Sequence, residues 1–271
     1  MTPKYLFLIL FFIFLSFIIK MSKNSMMKIM CIGDSITFGP IMPGSYRKFL
    51  YNNLIKKGYK IKMVGVNSNK VEKFSDENNP ESFEYEDNNC GYPGYTIKAF
   101  GERKGLLEIM ETNKWFELNP DIIVLLIGTN NAMENYDFDK TIKDFISLMD
   151  FLLKNINKEV IMFVSTIPDM NPNTESVYHW FDNYRMDGIN DAEVKNEVNI
   201  YVKDFNNKIK EIIESYRSKN YNIEIVDLNP IVKDIDNLFA DGVHPNNKGY
   251  KIIGDFYAGF IQDYLDKKFN K

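Results

Sequence analysis

The chain of 271 residues contains two cysteines and two histidines. Two thiols are too few for a disulfide framework, so Cys31 and Cys90 are either one isolated pair or, the commoner state, buried free thiols. No Cys/His cluster with metal-ligand spacing occurs, and the expected chemistry needs neither a metal nor a cofactor. No basic stripe interleaved with aromatic residues appears in a chain of formal net charge -4. Nucleic acid is therefore not an expected partner. The Gly-x-Ser-x-Gly elbow is missing, which argues against the ordinary α/β-hydrolase fold. Gly39-Pro-Ile-Met-Pro-Gly44 has the glycine spacing of a P-loop, but Ser45 stands where lysine is required, so nucleotide hydrolysis is not supported.

The residues that are present divide near residue 25. Tyr5 to Ile19 is apolar except for Ser16 and is flanked by Lys4 and Lys20. This length suits a signal-peptide core better than a full membrane span, yet Lys20-Met21-Ser22 fails the small-x-small pattern of a cleavage site. Residues 1–25 therefore read as a signal peptide or an uncleaved signal anchor, with a membrane tether through residues 5–19. The protein is then secreted or membrane-anchored; translation beginning at Met26 or Met27 would leave it cytoplasmic. Residues 26–271 read as one domain, because 45% hydrophobic content at this length can bury one sizeable core.

Within that domain the apolar residues alternate between strand-like runs and helical spacing. The run beginning at Met30 breaks at Gly33-Asp34-Ser35 and reads as a buried first strand. Tyr46, Phe49, Leu50 and Leu54 predict a helix capped by Ser45 and stopped by Gly58, followed by a strand over Ile61 to Val66. Asn67 to Asn89 is polar and aperiodic and reads as a long loop, without ligand-like spacing of its carboxylates. An uneven helix is expected from Thr96 towards Trp115. Ile122 to Ile127, a continuous apolar run, predicts a central parallel strand buried on both faces. A helix from about Asp139, a strand over Val160 to Ile167 and a long insertion from Pro168 to Asp191 follow. Val198, Val202, Phe205 and Ile209 then mark a helix, Ile223 to Leu228 a fifth strand, and Asn247 to Leu265 the last helix. Five strands alternating with helices predict an α/β fold, a three-layer α/β/α sandwich with a five-stranded parallel sheet. Ser35, Gly94, Asn130 and the aromatic insertion then open on one edge of that sheet.

A serine hydroxyl is a poor nucleophile until a base takes its proton. Of His179 and His244, His244 is the one that follows a carboxylate by three residues, in Asp241-Gly242-Val243-His244-Pro245. Alone, that segment reads equally as an ordinary turn with an exposed histidine. Together with Ser35 and Asn130 it favours catalysis.

Gly33-Asp34-Ser35, Gly128-Thr129-Asn130 and Asp241-x-x-His244, in that order, resemble the blocks of the GDSL (SGNH) hydrolases over roughly residues 28 to 266. Gly44-Ser45-Tyr46-Arg47 and Cys90-Gly91-Tyr92-Pro93-Gly94-Tyr95-Thr96-Ile97 are most similar to carbohydrate esterases of the acetylxylan esterase type. The resemblance implies a flavodoxin-like strand order 2-1-3-4-5. It implies Ser35 as nucleophile, His244 as general base and then acid, and Asp241 as the group that holds the imidazole tautomer. It implies an oxyanion hole made by the backbone amides of Ser35 and Gly94 and the carboxamide of Asn130. Asn131 departs from the usual Gly-Thr-Asn-Asp, which implies a local change in hydrogen bonding. Asp34 is expected to brace its turn, and Arg47 is either a support beneath the site or an exposed first-turn arginine. Tyr178, His179 and Trp180 are candidate substrate-binding residues, stacking on sugar rings, unless Trp180 and Phe181 close the insertion onto the core. The implied activity is a carboxylic ester hydrolase removing acyl groups, acetyl foremost, from a carbohydrate such as acetylated xylan or from another small ester. A lipid or thioester hydrolase and a catalytically silent glycan-binding protein are the alternatives.

Overall fold

The computed structural model describes residues 25–68, 73–76, 79–85, 87–174, 177 and 191–269. The apolar leader and the candidate sugar-binding residues Tyr178, His179 and Trp180 lie outside the described residues. In chain order the elements are β1 (Met26–Gly33), α1 (Ser35–Phe38), α2 (Ser45–Lys56), β2 (Lys60–Val64), β3 (Asn67–Ser68), β4 (Lys73–Asp76), β5 (Asn79–Glu84) and β6 (Asn88–Gly91). Then come α3 (Leu106–Thr112), β7 (Ile122–Leu126), α4 (Thr129–Met133), α5 (Phe138–Asn155), β8 (Ile161–Ser165), α6 (Asp191–Arg217), β9 (Ile223–Val226), α7 (Ile235–Leu238) and α8 (Asn247–Phe269).

Continuous apolar runs become the central strands. Every residue of β7 and of β8 is buried, as is β1 from Ile29 onward, because helices cover both faces of the sheet. β2, β1, β7, β8 and β9 lie side by side and parallel, the order 2-1-3-4-5. The sheet is wider than five strands. β2 pairs with Met26 to Met30 of β1, and β6 continues along the same edge by pairing with Ile32 and Gly33. β3 adds antiparallel to β6, which makes seven strands in all, and β4 pairs with β5 in a separate hairpin. The polar stretch expected as a loop therefore holds four short strands. Their side chains help tie the backbone: Asn89 Oδ1 accepts from the Gly91 amide at 2.9 Å, and Asn67 Nδ2 donates to the Gly91 carbonyl at 2.9 Å.

α2 and α8 pack on one face of the sheet, where the Tyr46 and Tyr257 rings lie 5.0 Å apart. α3, α5 and α6 cover the other, and Phe145 on α5 meets Phe205 on α6 edge-on at 5.8 Å. α5 shows why its sequence is helical: Asp137 caps the Lys140 amide at 2.7 Å, and Phe145, Leu148, Met149 and Leu152 bury one stripe. The helix expected from Thr96 is shorter than its apolar pattern suggests and starts only at Leu106. Before it the chain doubles back, the Thr96 amide donating to Lys104 O at 3.0 Å and the Arg103 amide to Phe100 O at 2.8 Å.

Candidate active site

Three neighbouring strand ends build the site. Gly33, the last residue of β1, pairs with Gly91 of β6 on one side and with Leu126 of β7 on the other. The residues that follow each end, Ser35, Gly94 and Asn130, therefore emerge on one edge of the sheet, the carboxyl edge where α/β folds collect their ligands.

Past β1 the Gly-Asp-Ser sequence bends directly into a helical turn. Asp34 is its N-cap, its Oδ1 accepting from the Ile36 amide at 2.9 Å. Ser35 thus becomes the first helical residue. Burial pushes the Asp34 carboxyl up to about 6, against the pull of the Ile36 amide and of nearby His244. Beneath the turn lies Arg47, which is fully buried: its Nε donates to Thr37 O at 2.8 Å, its Nη2 to Phe38 O at 2.9 Å, and it pairs with Asp87. The exposed placement left open for Arg47 does not occur. Its guanidinium satisfies the carbonyls at the end of α1 and so holds the floor under Ser35.

The histidine comes from the loop between α7 and α8. That loop is pinched by Ala240 N to His244 O at 2.8 Å and Asn246 N to Leu238 O at 2.8 Å. Asp241 Oδ1 accepts from the amides of Val243 at 3.0 Å and His244 at 2.7 Å, while Oδ2 lies 2.7 Å from His244 Nδ1. Burial raises the Asp241 carboxyl, but the ring and the two amides outweigh it and bring the group down to about 2. The far ring nitrogen completes the line: His244 Nε2 is 2.8 Å from Ser35 Oγ, across 209 positions of sequence. A carboxylate at Nδ1 favours the tautomer with its proton there, leaving Nε2 as an acceptor for the serine proton.

Tyr92-Pro93-Gly94-Tyr95 is a tight turn closed by Tyr95 N to Tyr92 O at 3.2 Å. Gly94 sits at φ +79°, the left-handed position that proline followed by glycine selects. Asn130, nearly buried at 5% exposure, gives one carboxamide N–H to Tyr95 O at 2.8 Å and retains a second. Its neighbour Asn131 accepts from the Ile97 amide at 3.0 Å through its own side-chain oxygen. The residue that replaces the usual acid therefore still serves as an acceptor.

Both cysteines are free and buried. Cys90 lies opposite Ile32, one residue out of register with Cys31, and burial pushes the Cys31 thiol to about 12 and the Cys90 thiol to about 11. Two charged residues without a motif of their own also reach the site. Arg103 donates from Nη1 to Gly94 O at 3.1 Å and from Nε to Glu134 Oε1 at 2.8 Å. Arg103 lies between Gly101 and Gly105 in a segment that reads as helix, and Glu134 is one acid among many; neither carries a local signature.

Among known proteins, a multidomain esterase from Ruminococcus flavefaciens is 34% identical over 251 residues, 90% of this chain and 29% of its own. An acetylxylan esterase from Xylanibacter ruminicola is 23% identical over 272 residues, 89% of this chain and 44% of its own. The chain thus spans less than half the length of either curated relative. A family 3 carbohydrate esterase from Clostridium thermocellum superposes with a TM-score of 0.61 at 24% identity, covering 90% of this chain and 98% of that one, a likeness of fold. The sequence profile described as GDSL-like lipase/acylhydrolase matches residues 29–256. That span runs from β1 into α8 and includes every residue of the Ser35 site, and the chain belongs to the GDSL family.

Proposed function

We propose that this protein is a serine esterase that removes acetyl groups from a carbohydrate such as acetylated xylan. The observation that carries the proposal is the continuous line from Asp241 Oδ2 through both nitrogens of His244 to Ser35 Oγ, with contacts of 2.7 and 2.8 Å. Those are hydrogen-bond distances between a nucleophile, a base and the group that orients the base.

Ser35 Oγ attacks the ester carbonyl carbon as His244 Nε2 takes the hydroxyl proton. The carbonyl oxygen becomes an oxyanion, met by the Ser35 and Gly94 amides and the second N–H of Asn130. Preorganised donors of this kind commonly lower the barrier by about 3 kcal/mol each. Collapse breaks the bond to the sugar oxygen, which leaves with the proton from Nε2 and frees the sugar hydroxyl. Water then attacks the acetyl-enzyme while Nε2 accepts its proton. The second collapse releases acetate and returns the proton to Ser35. Asp241, ionised far below neutral pH, faces the imidazolium formed in each half-reaction.

The relatives' descriptions as multidomain esterase and acetylxylan esterase support the substrate class. A polymer is met outside the cell, which agrees with a secretory or anchoring role for residues 1–25. The test is acetate release from acetylated xylan and from a small aryl acetate, by the protein and by Ser35→Ala. Turnover of both is expected, with a loss of about 10^4- to 10^6-fold in the variant. Turnover of the aryl ester alone would move the substrate to a lipid or another ester. Ser35-independent release would remove the esterase mechanism.

A further inference from the structure

We infer that Arg103 and Glu134 form a clamp that fixes the two oxyanion donors Gly94 and Asn130 relative to each other, making Arg103 a positioning residue for the acyl-transfer step. The inference rests on the oxyanion reading of those two residues given above.

The contacts form a closed ring. The Gly94 carbonyl accepts from Arg103 Nη1 at 3.1 Å, and the next carbonyl along, Tyr95 O, accepts from Asn130 Nδ2 at 2.8 Å. Glu134, which caps the C-terminus of α4, lies one helical turn beyond Asn130, with its amide donating to Asn130 O at 3.1 Å. Arg103 closes the ring, its Nε and Nη2 reaching Glu134 Oε1 at 2.8 and 2.6 Å. Two consecutive carbonyls are thus gripped by the side chains of Arg103 and Asn130, which are linked through Glu134.

The chemistry of the ring explains why arginine suits it. Gly94 at φ +79° has no side chain to anchor its turn, and its amide must point at a developing charge rather than at a protein acceptor. A planar guanidinium can meet a carboxylate and a carbonyl at once from a rigid fork, whereas an ammonium on a flexible stem cannot hold both in fixed geometry. The pair is well shielded, with the Glu134 side chain 1% and the Arg103 side chain 14% exposed, so solvent competes little for it. Arg103 is also carried to the turn by backbone bonds, Arg103 N to Phe100 O at 2.8 Å and Thr96 N to Lys104 O at 3.0 Å. The chain excursion from 96 to 105 brings that one guanidinium back beneath Gly94.

A clamp acting through the oxyanion hole should change kcat and leave KM nearly constant, because it matters when the charge develops. Steady-state kinetics on an aryl acetate are the test, for Arg103→Lys, Arg103→Gln and Glu134→Gln, each alone and in an Asn130→Ala background. The expected loss is about 10- to 100-fold in kcat for Arg103→Gln, the scale of a small misplacement at the reacting centre. Arg103→Lys should recover part of it. In the Asn130→Ala background the further loss from Arg103→Gln should shrink to a few-fold, since the clamp then has one donor left to position. Equal losses in both backgrounds, or a raised KM at constant kcat, would overturn the inference, the latter pointing to a direct substrate contact. Arg103→Lys and Glu134→Gln keep the test decisive if Arg103→Gln does not fold. The outcomes also separate this inference from its premise: an Asn130→Ala enzyme with unchanged kcat defeats the oxyanion reading, while a crippled Asn130→Ala beside a fully active Arg103→Gln defeats only the clamp.

Discussion

Asp241 divides the work of one carboxylate between two tasks. Oδ1 takes the Val243 and His244 amides and shapes the loop, and Oδ2 faces the ring. Replacing it by asparagine separates them. In Asp241→Asn the amide oxygen can still accept the two backbone N–H groups, but an NH2 would then face Nδ1. That favours the tautomer with its proton on Nε2, where it cannot accept from Ser35. The variant should fold, keep its KM and lose about 10^4-fold in kcat. A loss under tenfold on the aryl acetate would show that Asp241 shapes the loop and no more. At this scale Ser35 was legible because an apolar strand breaks at its Gly-Asp-Ser turn, and His244 and Asp241 because histidine is scarce and the carboxylate stands three residues before it. Arg103 was not: an arginine becomes a clamp only when a fold brings a carbonyl and a carboxylate to it from 9 and 31 positions away.

At the scale of elements, the packing of α8 on α2 decides how firmly the floor of the site is held. Gly254 on α8 lies against α2 with no room for a side chain. A Cβ there would lie 2.5 Å from Tyr46 O, 2.6 Å from Phe49 Cβ and 3.0 Å from Leu50 N, all on α2. Helix propensity favours Gly254→Ala by about 1 kcal/mol, while overpacking against backbone that cannot yield costs about 1–3 kcal/mol. Packing should win, and the urea midpoint of Gly254→Ala should fall. A raised midpoint would mean the two helices separate freely. Activity should fall as well, since α2 carries Arg47 and with it the carbonyls of Thr37 and Phe38. β7 and β8 were legible because strands buried on both faces must be apolar throughout. β3 and β6 were not, since an edge tied by Asn67 and Asn89 side chains leaves no hydrophobic period to read. The helix expected from Thr96 failed for the opposite reason, as Ile97 is buried by a chain reversal rather than by a helical face.

Over the whole molecule, two carboxyls at the site link folding to pH with opposite signs. Asp241 is held at about 2, below its ordinary 3.8, so its contribution is complete above about pH 4 and is lost as the pH falls towards 2. Asp34 is pushed the other way, from 3.8 to about 6 by burial. The folded state then holds a proton that the unfolded chain has already released, and stability declines as the pH rises from about 4 to 6. Above that window both states are ionised and the cost is constant. For a fully buried group this difference converts to at most about 3 kcal/mol. Asp34→Asn removes the titration while keeping an oxygen for the Ile36 amide, and its NH2 takes the place of a protonated carboxyl. Urea unfolding of the protein and of Asp34→Asn between pH 4 and 8 isolates the effect, because Asp241 is common to both. The variant's stability relative to the parent should rise by a few kcal/mol at most from pH 4 to about 6 and then level off. A constant offset across that range would show that Asp34 is already ionised at pH 4. The Gly-Asp-Ser turn would then hold its charge at no cost to folding, with His244 and the Ile36 amide outweighing the burial.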